Sequence, residues 1–265
     1  MKIKRESILI VAVLILVAVE TTFFARELWL RYWSQKGVTA ETRGYRIALK
    51  LGCFTCHGPG AVKGMKASIG EVPAWDGGNW FMYTPKEEHI RNWIVYGNQF
   101  GPGKDKPEVQ AQRKKTNPSK LYMPAYGRIL NSQEIADLIA FYKAVAWFRQ
   151  PDDPVVEEGR EIASKKGCFH CHGPEGRLNM ENPGSFKGYI PAWYGPDFEE
   201  LVKSEKELRE WILDGVSERF RKNPAAQVFL KRQKIRMPAY RGHLTDEELD
   251  AIVAYIQWVN RPDDE

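Results

Sequence analysis

All four cysteines of the chain lie in two short motifs that share one spacing. The motifs read C-F-T-C-H from Cys53 to His57 and C-F-H-C-H from Cys168 to His172. Two thiols three residues apart on one helical turn can add to the two vinyl groups of a porphyrin, and the histidine after the second thiol then lies beneath the metal. The spacing therefore predicts two covalently bound haem c groups, attached at Cys53, Cys56, Cys168 and Cys171, with His57 and His172 as iron ligands.

Two other kinds of cysteine site were weighed against haem attachment. A zinc site would need further ligands from elsewhere in the chain, and adjacent cysteine and histidine fit a closed tetrahedron poorly. A redox dithiol of the thioredoxin type lies near a βαβ pattern, which this sequence lacks. The two motifs occur in one chain and are each followed by Gly-Pro, and this recurrence favours haem over both alternatives.

The similarity between the two motifs extends over most of the chain, as an internal repeat does. The motifs lie 115 residues apart, and P-A-W, R-x-W-I and M-P-A-Y recur after each of them. A polar, proline-broken linker at residues 150–154 separates the two halves. We predict an anchor segment at residues 1–34 and two copies of one domain, the first copy at residues 35–150 and the second copy at residues 151–265.

Helices are predicted on both sides of each haem motif. Near the end of each copy, apolar residues recur at the helical spacing i, i+3, i+4, i+7. Capping boxes mark the starts of these helices, with Asn131 and Glu134 in the first copy and Thr245 and Glu248 in the second. The segments before the haem motifs also read as short helices, and no run of residues alternates as a strand does. The expected fold class is all-α.

In this order of elements, each copy resembles a class I cytochrome c domain, and the resemblance covers nearly all of residues 40–260. It implies that a glycine on the first helix packs against an aromatic residue on the last, which pairs Gly44 with Phe141 and Gly159 with Tyr255. It also implies that a proline carbonyl orients each haem histidine through the second ring nitrogen. Pro73 and Pro191 are the matching residues.

A haem iron with one histidine needs a second axial ligand. Met123 and Met237 are the predicted ligands, because each precedes proline in a loop before the last helix and they follow the haem histidines by 66 and 65 residues. A thioether ligand raises the reduction potential. Met65 and Met180 also recur in register, eight residues after each histidine. Reach alone does not exclude them, but they would have to pass around the haem edge.

The remaining histidines and the cationic residues have less specific assignments. His170 is expected at the surface, and His89 and His243 do not recur in the repeat. Basic residues precede each of the predicted methionine ligands. They form either a solvated helix face or a positive rim near the haem edge that steers an acidic redox partner. They are Arg113, Lys114, Lys115 and Lys120 in the first copy, and Arg219, Arg221, Lys222, Lys231, Arg232, Lys234 and Arg236 in the second.

The N-terminus predicts a membrane anchor. Lys2, Lys4 and Arg5 precede an apolar stretch, and residues 7–25 would span about 28 Å as a helix, near the hydrocarbon thickness of a bilayer. A cleaved signal peptide is the alternative, but no small-x-small cleavage site follows. Because the positive flank stays inside, the haem domains are expected on the outer, periplasmic face of the cytoplasmic membrane.

These features together predict an electron-transfer protein. The net charge of +5 is too small to indicate nucleic-acid binding. Histidine–methionine ligation at both irons would leave no open position, so we expect a single-pass dihaem c-type cytochrome rather than an enzyme. Its partners would be redox proteins or a membrane respiratory complex, reached as a shuttle or as a fixed subunit. The alternative is a dihaem enzyme, such as a peroxidase or a thiosulfate-oxidising cytochrome, with one open or labile haem.

Overall fold

The computed structural model describes residues 5–62, 64–67, 70–76, 78, 80–103, 106–116 and 122–261. They form two compact units, Met1–Val38 and Thr39–Glu265. The first unit contains helix α1, Arg5–Lys36. The large apolar side chains between Ile10 and Phe24 are all more than half exposed. Among the described residues, no helix combines the length and the apolar character that crossing a membrane requires.

The first copy contains six helices in its described part. They are α2 Ala40–Lys50, α3 Cys53–His57, α4 Trp80–Tyr83, α5 Glu87–Tyr96, α6 Pro107–Thr116 and α7 Ser132–Val145. A 3-10 turn, Pro59–Ala61, follows α3, and strands β1 Met65–Ala67 and β2 Gly70–Val72 pair antiparallel. The predicted capping box of α7 is confirmed, since the Asn131 side chain accepts from the Glu134 amide at 2.9 Å and the Glu134 carboxylate accepts in return.

The second copy repeats this order with seven helices among its described residues, one more than the first. They are α8 Pro154–Lys165, α9 Cys168–His172, α10 Pro196–Leu201, α11 Glu205–Asp214, α12 Glu218–Lys222, α13 Pro224–Arg232 and α14 Asp246–Val259. A 3-10 turn, Pro174–Gly176, follows α9, and strands β3 Met180–Glu181 and β4 Tyr189–Ile190 pair antiparallel. The capping box predicted at Thr245 and Glu248 begins α14. The fold is mostly helical, but the two hairpins depart from the all-α expectation, because strands of two or three residues are too short to show alternation.

The first and last helices of each copy pack at a glycine, as the resemblance implies. A Cβ atom built on Gly44 would lie 2.0 Å from the carbonyl oxygen of Asp137 and 2.8 Å from the Phe141 Cβ. The same atom on Gly159 would lie 1.9 Å from the carbonyl oxygen of Ala251. Only glycine allows the two backbones to approach this closely, and the crossing holds the haem motif and the methionine loop of each copy on one core.

Candidate functional site

Glycines bracket each cysteine-containing helix. Gly52 at φ +73° precedes α3, and Gly167 at φ +80° precedes α9. These left-handed turns end the preceding helix and start the short helix that carries the motif. The cysteines at the start of each motif are half-buried, and burial raises the pKa of Cys53 and of Cys168. Both cysteines of each motif therefore lie on one short helix, and Cys53 and Cys168 pack against the cores of their copies.

The predicted hydrogen bond to each haem histidine is present. The Nδ1–H of His57 donates to the carbonyl of Pro73 at 3.0 Å, and that of His172 donates to the carbonyl of Pro191 at 3.3 Å. Burial lowers the pKa of His57 and lowers that of His172 to about 4. Each imidazole is thus neutral near pH 7, with Nδ1 occupied and Nε2 available to a metal.

Two tryptophans pack against these histidines, and sequence reasoning assigned them no role. The ring of Trp75 lies 5.2 Å from that of His57, and the ring of Trp193 lies 5.1 Å from that of His172. Each tryptophan amide donates to the turn after the haem motif, at 2.9 Å in the first copy and 2.8 Å in the second. The recurrence of P-A-W in both copies was the available signal.

The methionine loops are fixed in the same way in both copies. Two residues after each proline, the backbone amide of Tyr126 donates to the carbonyl of Ile94 at 2.9 Å, and the amide of Tyr240 donates to that of Ile212 at 3.2 Å. The glycine that ends α5 or α11 leaves room for the carbonyl of the methionine, since a Cβ on either glycine would lie 2.4 or 2.5 Å from that oxygen. Each loop is therefore held against the middle helix of its own copy.

The tyrosines of these loops approach the cysteine motifs. Burial raises the pKa of Tyr126, and the neighbouring thiols of Cys53 and Cys56 raise it further. In the second copy, the Tyr240 hydroxyl donates to the carbonyl of Lys166, just before the haem motif, at 3.0 Å. The M-P-A-Y loop and the C-x-x-C-H motif, distant in sequence, thus meet at one site in each copy.

A cavity of about 550 Å³ in the second copy brings the predicted donors together. Its lining includes both cysteines, His172 and Met237, with Ile212, Ile252 and Ile256 among the apolar residues. Met180 is absent from that lining and packs instead against the core of the first copy. The side chain of Met65 lies outside the described residues. In the first copy, Met123 is half-buried in the matching loop.

None of the other described histidines lines this cavity. His170 is exposed, as expected, and so is His243. His89 is half-buried, and its Nδ1 atom has no hydrogen-bond partner among the described residues. Within the part of the chain that the structure describes, no group of three or more His, Cys, Asp or Glu side chains is arranged to hold a metal ion.

Three of the seven cations before Met237 lie within ion-pair distance of acidic residues, two of which, Glu207 and Asp214, lie outside the basic stretch of sequence. Arg219 pairs with Glu207 at 2.6 Å, Arg221 with Asp214 at 4.0 Å and Lys222 with Glu218 at 2.7 Å. The other four are exposed and make no ion pair among the described residues; we call them the basic patch: Lys231, Arg232, Lys234 and Arg236. Arg236 also lines the cavity. In the first copy, the side chains of Arg113, Lys114, Lys115 and Lys120 lie outside the described residues.

The residues of the second-copy cavity fit a covalently bound haem. The cavity has the volume of a cofactor site and a largely apolar wall. Two thiols, a neutral imidazole and a thioether line it, which are the groups that hold haem c and its iron. The first copy carries the same motif, the same histidine–proline hydrogen bond and the same methionine loop.

Comparison with known proteins agrees with this assignment. The cytochrome c family profile matches the chain twice, over residues 41–146 and 156–260. No curated protein matches the chain. A chain of the reducing HAO-like protein complex Kustc0457/Kustc0458 from Kuenenia stuttgartiensis is 17% identical over 83% of this chain and 96% of its own, with a TM-score of 0.27.

Proposed function

The chain belongs to the cytochrome c family, whose domain it contains twice in tandem, and we propose that it is a dihaem c-type cytochrome that passes single electrons between redox proteins. Cytochrome c domains imply haem-based electron transfer. We infer two haems, one attached at Cys53 and Cys56 and the other at Cys168 and Cys171. When bound, each haem supplies a reversible one-electron couple whose potential depends on its axial ligands and its burial.

The observation that carries this proposal is the shared lining of one cavity by His172, Met237 and both cysteines of the second motif. His172 and His57 would be the proximal ligands, held in one tautomer by the carbonyls of Pro191 and Pro73. Met237 and Met123 would be the distal ligands. The largely apolar wall would limit the access of water to a bound haem, so the chain's own part is to hold the donors in place and to lower the polarity around them.

We propose electron transfer rather than catalysis because each copy has a methionine at the same place in a loop that is hydrogen-bonded to the middle helix. Carbon monoxide binding to the reduced protein tests this directly. Methionine ligation at both sites predicts no spectral change on adding the gas. Binding at one site with a stoichiometry of one per chain would favour the dihaem enzyme instead.

The basic patch supports an acidic redox partner. Ile235, which lines the cavity, lies between Lys234 and Arg236 in sequence, and apolar surface beside charged side chains suits a transient interface. Because exposed charges are screened beyond about 8 Å at physiological salt, electron exchange with an acidic partner should slow as salt rises. A fixed subunit of a respiratory complex is the other form this partnership can take.

Charge reversal tests the patch. The triple variant Lys231→Glu, Arg232→Glu, Lys234→Glu should associate with the partner more slowly, while both haem potentials stay nearly unchanged. A control with the same net-charge change reverses three exposed lysines elsewhere, Lys50, Lys86 and Lys203. Equal slowing by both variants would show that net charge alone acts, and no effect of either would favour a permanently docked subunit.

We further propose that the N-terminal segment anchors the protein to the cytoplasmic membrane, with both haem domains on the periplasmic side. The exposed apolar side chains between Ile10 and Phe24 support this, because apolar surface that no protein covers is stabilised by lipid. Covalent haem attachment on the outer side of the bacterial cytoplasmic membrane agrees with this orientation.

A further inference from the structure

A short segment of the second copy completes the core of the first. Residues 173–180 follow the haem-binding His172. Leu178 is 2% exposed and lies in the same apolar cluster as Ala48 and Phe141 of the first copy. Met180 packs against that cluster as well. Protein cores are closely packed, so the stability of each core depends on every side chain buried in it. The stability of the first copy therefore depends on Leu178, which the second copy supplies.

Buried hydrogen bonds join the copies beside Leu178. The Oδ1 atom of Asn179 accepts from the backbone amide of Thr39 at 2.8 Å and from the Thr42 hydroxyl at 3.2 Å. The backbone amide of Asn179 donates to the Thr42 hydroxyl at 2.7 Å. The Thr39 hydroxyl donates to the backbone carbonyl of Arg177 at 2.9 Å. Buried polar groups need such partners, so separating the copies would leave several of them unsatisfied.

Charged side chains extend this contact. Glu41 of the first copy accepts from the Tyr194 hydroxyl and pairs with Arg177 at 3.4 Å, both in the second copy. Burial and the Glu41 carboxylate raise the pKa of Tyr194, which keeps its hydroxyl as a donor. The guanidinium of Arg160 lies 3.4 Å from the ring centre of Trp147 in the first copy. Cation–π stacking of this kind also fixes the orientation of the two groups.

The two copies differ in sequence at this contact. The turn after the haem motif has Gly60 at φ +62° in the first copy and Glu175 at φ +58° in the second. A non-glycine residue in this left-handed conformation is strained. The Glu175 carboxylate pairs with Arg160 at 2.8 Å, and the first copy has Tyr45 where the second has Arg160. Ala61 of the first copy has the same left-handed conformation at φ +65°, one residue later in the equivalent turn, so the strain is common to both copies and the salt bridge of Glu175 is the feature specific to the second.

The segment is also tied to the haem-binding histidine. The amide of Leu178 donates to the backbone carbonyl of His172 at 3.3 Å. A Cβ atom on Gly173 would lie 2.5 Å from the Leu178 Cβ, so the chain turns tightly back here. One backbone hydrogen bond therefore links His172 directly to Leu178, whose side chain is buried in the core of the first copy.

We propose that residues 173–180 are an interdomain strut, which locks the two copies together and holds His57 and His172 at a fixed separation. The part concerning electrons rests on the proposed function. One electron leaves the reduced site and enters the oxidised one, no bond forms or breaks, and an external single-electron donor supplies the electron. A fixed separation makes exchange between the sites uniform and independent of domain motion.

Hydrogen exchange of the full-length protein tests the lock without reference to haem. Leu178→Ala should speed amide exchange in α7 of the first copy about tenfold or more, because it opens a cavity in that core. Leu178→Met conserves volume and should restore protection. The control Leu249→Ala removes the same side chain at 4% exposure from the core of the second copy and should speed exchange in α14. Unchanged exchange of α7 in Leu178→Ala would overturn the strut.

Electron exchange between the two sites tests the functional part. Asn179→Ala removes the two hydrogen bonds that its Oδ1 atom accepts from the first copy, so exchange after photoreduction should become slower and spread over several phases as the two copies move relative to each other. The control Asn98→Ala removes a buried asparagine whose hydrogen bonds all lie within the first copy, and it should leave the exchange rate near that of the wild type. A wild-type rate in Asn179→Ala would refute this part. Loss of haem from the intact mass would instead refute the proposed function.

Discussion

Adding one methyl group at either helix crossing tests the packing that positions both haem sites. In Gly44→Ala the new Cβ would lie 2.0 Å from the carbonyl oxygen of Asp137, and in Gly159→Ala it would lie 1.9 Å from that of Ala251. Both neighbours are helix backbone, so no side-chain rotation relieves the clash and the helices must separate. Overpacking costs about 1–3 kcal/mol or more, while alanine gains about 1 kcal/mol over glycine in helix propensity.

Because contacts of 2.0 and 1.9 Å with backbone place the cost at the upper end of that range, the net expectation is a loss of about 2 kcal/mol or more in the free energy of unfolding of the altered copy. Urea unfolding followed by tryptophan fluorescence measures it, since Trp75 and Trp193 are buried in the two cores. Ser164→Ala is the control, because Ser164 is exposed on α8 and the change should alter stability by at most about 0.5 kcal/mol. If both glycine variants were as stable as the wild type or more so, the close crossing of the helices would be refuted.

The remaining predictions concern ligation, charge and location. Met237→Ala should remove about half of the sulfur-to-iron absorption of the oxidised protein and lower one potential, whereas Met180→Ala should change neither; the opposite result would reassign the ligand. Arg219 lowers the pKa of Glu207, so this ion pair stabilises the fold above pH 4.5 and the contribution is lost as pH falls below that value. Arg219→Gln should therefore cost about 0.5 kcal/mol at pH 7 and progressively less as pH falls below 4.5, in urea unfolding. Carbonate washing should leave the native protein in membranes, and a chain without residues 1–30, given a cleavable signal, should be soluble; a native chain that begins near residue 20–26 would instead identify a signal peptide.

Much of each site could be predicted because the information is local and occurs twice. The cysteine spacing and the capping box at Asn131 each depend on a few neighbouring residues, and the repeat placed the M-P-A-Y loop in both copies. The proline carbonyls came from the resemblance, and the hydrogen bond of His172 to Pro191 is present although the loop between them is three residues longer than in the first copy.

The remaining features depend on contacts between distant residues. Leu178 reads as one apolar residue in a loop, and nothing in its own copy indicates that it is buried in the other. Arg219 reads as part of a basic cluster, and its pairing with Glu207 requires the fold to bring α11 beside α12. Strands β3 and β4 have two residues each, which is too short for an alternation of apolar and polar residues to be detected in the sequence.

The haem count of the denatured protein tests the central claim most directly. Thioether bonds survive acid–acetone extraction and denaturation, whereas haem held only by axial ligands does not. Intact-mass spectrometry of the extracted chain should give the mass of the polypeptide plus two haems, and substitution of Cys53 and Cys56 by alanine should reduce this to one. A chain that carries one haem or none would contradict the assignment of both motifs as haem attachment sites.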